Sequence, residues 1–379
     1  MDSALNYFRR LQSGASLNFL IQIADNFGLA FAEYYFKLHG VSLPKLILIY
    51  ALGPLASIPI VTLCNNWKIQ RYMRYGILGY IAMSLTLLFY GPYSWVLFGI
   101  FNGINLGFFW VSFNYVFFLR SKNDTNAKDS SIYFILGPLA GIILPPLGAL
   151  VIGGVGYRAL FFIGILLFML PMLYTKKEAF NYRLKESFAK ANKAYSGIKT
   201  ITFIEQTVYY FQGNFLFIYA LFFLSNQYQV GGLLSYLALT SLIVAFLLSH
   251  ISDRSKKRVE ILYPIMFILS VLIMIIPGIK SLDVLLIIGG IYAFLDNLSL
   301  PIRFAVPMDL AKKVDIGFWR MSEFYGNMGR ASVFGVAALL LYEGYKWEAF
   351  GIFAALTFIT PFVISRKTAS IKLKAKATS

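Results

Sequence analysis

Cysteine, histidine and charged residues are scarce in this sequence. Cys64 is the one cysteine among 379 residues, which excludes an internal disulfide, and two histidines without a second cysteine argue against a zinc site. Charged residues make up 13% of the chain and hydrophobic residues 58%, which is too little polar surface to cover a soluble globule of this size. We therefore expect a chain that lies in a lipid bilayer and holds no metal or other cofactor.

Long apolar runs take the place of polar surface. At about 1.5 Å per residue, about 20 residues cross the roughly 30 Å hydrocarbon core of a bilayer. Twelve runs have this length, with approximate limits of 14–36, 43–64, 72–90, 94–119, 131–154, 157–175, 200–225, 230–250, 259–279, 283–309, 316–342 and 347–365. No signal-peptide cleavage site is evident before the first polar loop. The sequence predicts an all-α integral membrane protein with twelve transmembrane helices.

The basic residues fall mainly on one side of the predicted membrane. With the N-terminus placed in the cytoplasm, 27 of the 34 Lys and Arg residues lie in cytoplasmic segments, 5 lie outside and 2 lie within spans. We therefore expect a protein of the cell (plasma) membrane with both termini in the cytoplasm. The retention of basic residues in cytoplasmic loops then explains the net charge of +17. We expect these residues to lie beside anionic lipid headgroups, and we expect no nucleic acid as a partner.

A polar, lysine-rich segment divides the spans into two sets of six. The predicted domains are a six-helix bundle at 1–174, a basic cytoplasmic linker or amphipathic helix at 175–199, a second six-helix bundle at 200–365 and a short basic cytoplasmic tail at 366–379. If the halves are repeats, they form two pseudo-symmetric bundles, and a binding site is expected between them.

Two short motifs carry a family resemblance. The stretch SHISDRSKKR places Asp253 and Arg254 before a basic cluster, in the loop after the eighth span. The fifth span contains Gly137, Pro138 and Gly141. Together with twelve spans and a basic central linker, these motifs resemble the major facilitator superfamily over essentially the whole chain. The resemblance implies a solute transporter built from two six-helix bundles.

The charged loop motif is present in the second half only. In the equivalent loop of the first half, Asn66 and Trp67 occupy the positions of the acid and the arginine. An aspartate at a helix end can accept hydrogen bonds from a neighbouring helix N-terminus and from arginine. Asp253 and Arg254 are therefore predicted to form a cytoplasmic gate, whereas the basic residues that follow them are interpreted as topology signals. The fifth-span motif lacks its second consecutive glycine, so it gives little support for antiport.

Polar residues within the apolar spans mark the candidate binding site, because burial in hydrocarbon is costly unless they face a cavity or a partner. The candidates for substrate or proton binding are Asn18, Gln22, Asp25, Asn26 and Glu33 on the first span, Asn102, Asn105 and Trp110 on the fourth, Glu205, Tyr209 and Gln212 on the seventh, Tyr292, Asp296 and Arg303 on the tenth, and Glu323, Asn327 and Arg330 on the eleventh. The polar faces of the first and seventh spans indicate a central cavity.

Two of these candidates are given specific roles. Asp25 has no basic partner in its own half, and a carboxylate alone in a low-dielectric cavity can load and release a proton. We therefore predict that Asp25 is the proton-coupling residue. Arg330 is interpreted as half of a structural ion pair with Asp296 or Glu323, because an unpaired arginine within a membrane is rare.

The sequence thus predicts a secondary transporter that moves a small solute by alternating access, coupled to protons. Efflux of a drug or metabolite is favoured over two alternatives, a lipid flippase and a proton-coupled importer of a sugar or organic anion. A membrane enzyme would need paired carboxylates or a nucleophile and base in a surface loop, and the short outer loops have few such groups. We therefore expect no enzymatic activity, and a monomer is the expected state.

Overall fold

The computed structural model describes residues 2–118, 126–177, 180–251, 258–311 and 314–378. Most of this chain is helical, because a segment in lipid must satisfy its backbone hydrogen bonds internally. The helices of the first half are α1 (Asp2–Gly28), which continues through a 3-10 turn (Leu29–Phe31) into α2 (Ala32–Leu38), α3 (Leu43–Leu63), α4 (Ile69–Leu88), α5 (Ser94–Ile104), which continues through a π-helical segment (Asn105–Trp110) into α6 (Val111–Phe118), α7 (Asn126–Val155) and α8 (Tyr157–Tyr174).

The second half follows a linker that contains a short helix, α9 (Phe188–Ala194). Its remaining helices are α10 (Lys199–Leu221), α11 (Gln227–Ile251), α12 (Arg258–Ile275) with a 3-10 turn (Ile276–Gly278), α13 (Leu282–Leu310), α14 (Ile316–Tyr342) and α15 (Lys346–Thr378). Counting α1 with α2 and α5 with α6, and leaving out α9, the described residues form twelve membrane-length units. The predicted all-α fold of two six-helix bundles is confirmed.

Seven helical segments of the described chain are long and apolar enough to cross a membrane by length and composition. They are α3, α5 with α6, α7, α8, α12, α13 and α15. The helices outside this set include α1, α10 and α14, which carry many of the polar candidates. The polar side chains that these helices bury inside the bundle therefore lower their mean hydropathy.

The sequence places most helix ends within a few residues. Helix α14 matches the predicted 316–342, because Asp315 caps its start by accepting a hydrogen bond from the Phe318 amide at 3.1 Å. Gly156 joins α7 and α8 with φ of +95°, a conformation that glycine adopts without strain. The two end helices are longer than predicted, since α1 begins at Asp2 and α15 continues to Thr378.

The linker is attached to both halves. Strand β1 (Asn66–Lys68), after α3, pairs antiparallel with β2 (Arg183–Lys185), in the linker, with Trp67 opposite Leu184. Helix α9 packs on α14, where the Phe188 and Phe324 rings lie 5.0 Å apart. We call the side of the bundle that carries β1, β2 and α9 the linker face, and the opposite side the far face.

Two seams join the halves along their length. Helix α3 packs against α14, and α7 packs against α11. In the second seam, Ser235 on α11 donates to the Ile142 carbonyl at 2.7 Å, and a Cβ on Gly231 would lie 2.9 Å from the Pro145 carbonyl oxygen. Small residues thus let these two helices approach closely.

Candidate functional site

A polar cavity of about 470 Å³ lies between the two halves. Helix α1, the π segment, α6 and α7 supply one side, and α10, α11, α13 and α14 supply the other. This volume lies within the usual range of about 300–1,000 Å³ for small-molecule sites. The polar residues that line it include Asn18, Gln22, Asn26, Asn114, Tyr133, Gln206, Tyr209, Tyr210, Ser241, Tyr292, Asp296, Asn297, Ser322, Glu323 and Arg330.

A ladder of amides on α1 forms the first-half wall. Gln22 donates to Asn18 Oδ1 at 3.4 Å, and Asn26 donates to Gln22 Oε1 at 3.2 Å. Residues four apart lie on one face of a helix, so the three amides bond in sequence along α1. Gly137 and Gly141 on α7 lie opposite, where a Cβ would be 3.2 Å from Gln22 Oε1 and from Asn26 Oδ1 respectively.

Aromatic rings form the part of the cavity nearest the linker face. Phe304 stacks on Tyr133 with ring centroids 5.7 Å apart, and Trp319 stacks on Phe304 at 5.9 Å. Phe118, at the end of α6, stacks on the other side of this group, 5.1 Å from Trp319. These rings come from both halves and lie between the cavity and the linker face.

One ion-pair cluster lies on α10 and α13. Arg303 Nη2 lies 2.5 Å from Asp296 Oδ1, and Arg303 Nη1 lies 4.0 Å from Glu205 Oε1. All three side chains are buried, and Asp296 reaches the cavity. A buried charge needs a partner of opposite sign, so Arg303 stabilises both carboxylates.

A second cluster lies on α14 and α10. Arg330 Nη1 donates to Glu323 Oε2 at 3.3 Å and to Asn327 Oδ1 at 2.9 Å, and Arg330 Nη2 donates to Gln206 Oε1. The guanidinium also lies 4.8 Å from the centre of the Tyr210 ring. Arg330 thus has Glu323 as its ion-pair partner, whereas Asp296 pairs with Arg303.

Two carboxylates of the first half lie outside the cavity lining. Glu33 accepts a hydrogen bond from the Tyr50 hydroxyl on α3. Asp25 interacts electrostatically with Glu33 and makes no hydrogen bond or ion pair with any of the described residues. The stripe predicted on the first span is therefore divided: its amides line the cavity, while Asp25 and Glu33 do not line it and interact with each other and with Tyr50 on α3. The 3-10 turn at Leu29–Phe31 changes the helical phase before Glu33.

Tyr210 connects the two groups of charges. Its hydroxyl accepts a hydrogen bond from Asn102 on α5 at 3.3 Å, and its ring lies edge-on to Tyr50 at 5.6 Å. Because Tyr50 bonds Glu33 and Arg330 lies over Tyr210, one tyrosine pair joins the first-half acids to the second-half ion pairs.

Arg320 closes the linker face. Its guanidinium donates to the carbonyls of Val61 at 2.6 Å, Thr62 at 2.7 Å and Glu186 at 2.8 Å, and to Asn65 Oδ1 at 3.1 Å. The side chain is 0% exposed. One residue of α14 therefore holds the end of α3 and the linker together.

Replacing Arg320 by lysine should loosen the linker face. Lysine keeps the positive charge but lacks the planar fork that reaches four oxygens. Loss of even one charge-assisted hydrogen bond costs about 1.5–3 kcal/mol. This raises the fraction of molecules in which the linker face is open by about tenfold or more. Cys64, beside Val61 and Asn65, is a native reporter, because burial raises the pKa of its thiol and slows its reaction. We expect a membrane-permeant maleimide to alkylate Cys64 about tenfold faster in Arg320→Lys.

The matched control for this measurement is Lys346→Arg, which changes a basic residue at the far face. An unchanged alkylation rate in Arg320→Lys would show that Arg320 does not hold this face closed. Since the charge beside the thiol is the same in the wild type and in Arg320→Lys, a faster reaction reports loss of burial around Cys64.

Lys37 joins the halves at the far face. Its amine, at the end of α2, donates to the Leu221 carbonyl at 2.6 Å and the Leu224 carbonyl at 2.9 Å, where α10 ends. A cation at a helix C-terminus is favourable because the last carbonyls lack partners within the helix. The halves are therefore in contact on both sides of the cavity.

The structure brings only part of the predicted set to the cavity. The predicted residues in its lining are Asn18, Gln22, Asn26, Trp110, Tyr209, Tyr292, Asp296, Glu323, Arg330, Gly137, Pro138 and Gly141. Four further candidates are buried partners of other side chains: Glu205 and Arg303 in the first cluster, Asn327 in the second, and Asn105, which accepts from Trp110 at 3.0 Å. Asn102 is half-buried and donates to Tyr210. The Gln212 side chain and the predicted gate, Asp253 and Arg254, lie outside the described residues.

Several site residues were missed by reading the sequence. Arg320 was counted with the loop cations, because it lies in the first turns of a span. Gln206 and Tyr210 are neighbours of Glu205 and Tyr209, but they lie on a different part of the α10 surface. Their distance from the predicted polar face explains why helical spacing alone did not find them.

Twelve helices in two bundles around a polar, ion-paired cavity define a multi-pass membrane protein of the transporter class. A family model described as Major Facilitator Superfamily matches residues 7–331. The chain belongs to the major facilitator superfamily, as the motifs of the fifth span and the SDR loop predicted. The members of this family are transporters, not enzymes. No curated protein sequence matches the chain.

Solved transporter structures share this fold. The Escherichia coli fucose:proton symporter has a TM-score of 0.69 and 14% identity, covering 95% of this chain and 99% of that chain. A transporter of the POT family, in complex with a thioalcohol-conjugated peptide, has a TM-score of 0.68 and 14% identity, covering 96% of both chains. The human organic anion transporter MFSD10 has a TM-score of 0.61 and 13% identity, covering 94% and 99%. At these identities the likeness concerns the fold alone.

Proposed function

We propose that this protein is a secondary active transporter that moves a small solute by alternating access and is driven by protons. The observation that carries the proposal is the cavity of about 470 Å³ between the halves, lined by polar groups from both. A solute bound there contacts both bundles, so their relative movement can change the side from which it is reached.

Asp25 is proposed as the proton-coupling residue. It precedes Asn26, which lines the cavity, and it interacts with Glu33 rather than with a base. A carboxylate without a positive partner favours its protonated form. Gain or loss of its proton would alter the contacts of α1, and α1 forms one wall of the cavity.

Transport of a solute is favoured over movement of a lipid. A lipid would need a lateral opening between the halves, but α3 packs against α14 and α7 against α11. In the second of these seams, Ser235 bonds the Ile142 carbonyl and Gly231 closely approaches α7. Acidic residues of the first half would suit a cationic drug only if they reached the cavity. Asp25 and Glu33 lie outside the cavity lining, so they do not favour a cationic drug as the solute.

We also propose that the linker face is cytoplasmic. Seven Lys and Arg residues lie in the linker segment 175–199, and cytoplasmic loops retain such residues. Arg320 and the predicted gate at Asp253 and Arg254 would then belong to the same cytoplasmic side.

An Asp253→Asn variant should shift the balance of inward- and outward-facing states. Unchanged accessibility labelling in this variant would contradict the predicted gate.

The orientation can be tested through the single cysteine. Cys64 lies at the linker face, so a membrane-impermeant maleimide should leave it unmodified in intact cells and label it in inside-out vesicles. The Arg320→Lys variant provides a more reactive form for the same comparison. Labelling in intact cells, without labelling in inverted vesicles, would reverse the proposed orientation.

The transport activity can be tested in liposomes that contain purified protein and a trapped pH-sensitive dye. A panel of monosaccharides, monocarboxylates, amino acids and aromatic amines is added outside, one at a time. We expect one class to change the internal pH only in liposomes that contain the protein, and an imposed pH gradient to drive its accumulation. Accumulation that is unaffected by the gradient would exclude proton coupling, and the absence of flux for every class would contradict the proposal.

A further inference from the structure

We infer that the central cavity takes a neutral, multiply hydroxylated solute of about monosaccharide size. This inference rests on the proposed function, because it identifies the transported substrate with the occupant of the cavity. Three features of the lining lead to it: the state of its charges, the position of its unused hydrogen-bonding groups and the shape of its aromatic wall.

The charges that line the cavity are already paired. Three charged side chains reach it, Asp296, Glu323 and Arg330. Asp296 is paired with Arg303 at 2.5 Å, and Glu323 is paired with Arg330 at 3.3 Å. Arg303 also lies 4.0 Å from Glu205, so it is shared by two carboxylates. A charged substrate that displaced Arg303 or Arg330 from its partner would leave a buried charge without its counter-ion, which is strongly unfavourable. A neutral substrate leaves both pairs in place.

Polar groups in the lining are arranged for hydroxyls. Asn26 Oδ1 and Asn297 Oδ1 accept no hydrogen bond from any described residue, while their amide nitrogens are used by Gln22, Ser241 and Ala293. The Tyr209 hydroxyl makes no hydrogen bond with the described residues either. Two acceptors and one hydroxyl suit a ligand whose groups both donate and accept, as an alcohol does.

These groups come from opposite halves. Asn26 is on α1, whereas Tyr209 is on α10 and Asn297 is on α13. A ligand with hydroxyls around its ring can bond both walls at once, whereas a solute with a single polar end can bond one wall only. A polyol is therefore able to hold the two bundles together across the cavity, as alternating access requires.

The aromatic wall provides an apolar surface. Tyr133, Phe304 and Trp319 are stacked with interplanar angles of 19° and 26°, and Phe134 meets Phe304 edge-on at 5.1 Å. The C–H face of a cyclic polyol is apolar and can pack on such rings, while the hydroxyls at its edge remain available to the amides. The cavity thus offers one surface for each part of this ligand.

The test compares ligands that share a skeleton and differ in charge. Purified protein in lipid nanodiscs is heated with neutral aldopentoses, aldohexoses and cyclitols, and with the matching uronic acids and amino sugars, at millimolar concentration. A bound ligand raises the unfolding midpoint by mass action. We expect at least one neutral member to raise it more than its acid and amine counterparts. If no neutral member binds, or if a charged counterpart binds more tightly, the inference is overturned.

Three variants locate the binding. Asn26→Leu and Asn297→Leu should each weaken binding of that neutral ligand about tenfold, as expected for loss of one or two hydrogen bonds. Asn214→Leu is the matched control, because Asn214 bonds its own helix and does not line the cavity. Tyr209→Phe removes only a hydroxyl group. It tests the same binding site if one of the leucine variants does not fold. Equal affinity in Asn26→Leu, Asn297→Leu and Tyr209→Phe would place the ligand elsewhere.

Flux measurements separate this inference from the proposed function. If a neutral polyol binds the cavity but does not cross the liposome membrane, the binding chemistry holds and the transport proposal fails. If a carboxylate or an amine is transported while neutral polyols neither bind nor cross, transport holds and the polyol inference fails.

Discussion

Asp25→Asn is expected to abolish proton-driven accumulation of the substrate while preserving its exchange. Asparagine has the size of aspartate, but its amide does not gain or lose a proton at physiological pH. Since Asp25 lies outside the cavity lining, its replacement should leave the substrate contacts intact. Accumulation against an imposed pH gradient should fall to the level of protein-free liposomes. Exchange of labelled for unlabelled substrate, without a gradient, should continue at close to the wild-type rate.

The control for this experiment is Asp283→Asn, which removes an exposed carboxylate from the first turn of α13. Both activities should survive that change. Equal proton-driven accumulation in Asp25→Asn and in the wild type would remove Asp25 from the mechanism. Loss of exchange together with accumulation would assign Asp25 to substrate binding or to folding, rather than to coupling.

Arg303→Met is expected to destabilise the protein by about 3–5 kcal/mol, because it leaves a buried carboxylate without its counter-ion. Asp296 lies 2.5 Å from the guanidinium and Glu205 lies 4.0 Å from it, so both lose their positive partner. The measurement is equilibrium unfolding in mixed micelles, followed by tryptophan fluorescence. Arg158→Met, at an exposed position at the start of α8, should change stability by no more than about 0.5 kcal/mol.

The triple variant Glu205→Gln, Asp296→Asn and Arg303→Met shows whether charge is the cause. Neutral amides can remain buried with fewer bonds than carboxylates, so the triple variant should recover most of the loss. If Arg303→Met is as stable as the wild type, the ion pair is not a structural element. If the triple variant is less stable than Arg303→Met, packing rather than charge explains the effect.

The sequence predicted the helices well because their signal is strong and local. Long apolar runs require helices in lipid, and caps such as Asp315 mark where a helix begins. The π-helical segment at Asn105–Trp110 was not predicted, since it changes the helical phase without changing composition. The β1–β2 pair was also missed, because three-residue strands joined across more than 100 residues leave no local pattern.

The candidate site was harder to predict. Helical spacing shows on which face of its helix a residue lies, but not which other helix packs against that face. The spacing of Asn18, Gln22 and Asn26 identified a polar wall that the structure places in the cavity. It also grouped Asp25 with them, although Asp25 does not line the cavity. Partners on other helices decide this difference. Tyr50 on α3 is the clearest of them, since the residue spacing of the first span does not show that Tyr50 bonds Glu33 on α2.

The Tyr50–Tyr210 contact would connect the proposed proton-coupling residues to the proposed binding site. Tyr50 bonds Glu33 in the first half, and Tyr210 lies under Arg330 in the second. A change in the charge of the first-half acids would act on the hydroxyl of Tyr50, and the ring contact at 5.6 Å would transmit a movement to the cavity wall. Demonstrating such coupling requires a double-mutant cycle between these two positions.

The attachment of the linker sets a limit on how far the halves can separate. Strand β2 ends at Lys185 on the first half, and α9 begins at Phe188 on the second, so only Glu186 and Ser187 lie between them. A fully extended chain spans at most about 3.6 Å per residue. The segment therefore acts as a short tether with little slack, which stops the bundles from moving more than a few ångströms apart at this face unless the strand pair or α9 detaches. The amplitude of the transport cycle would then be set by a loop as well as by the helices.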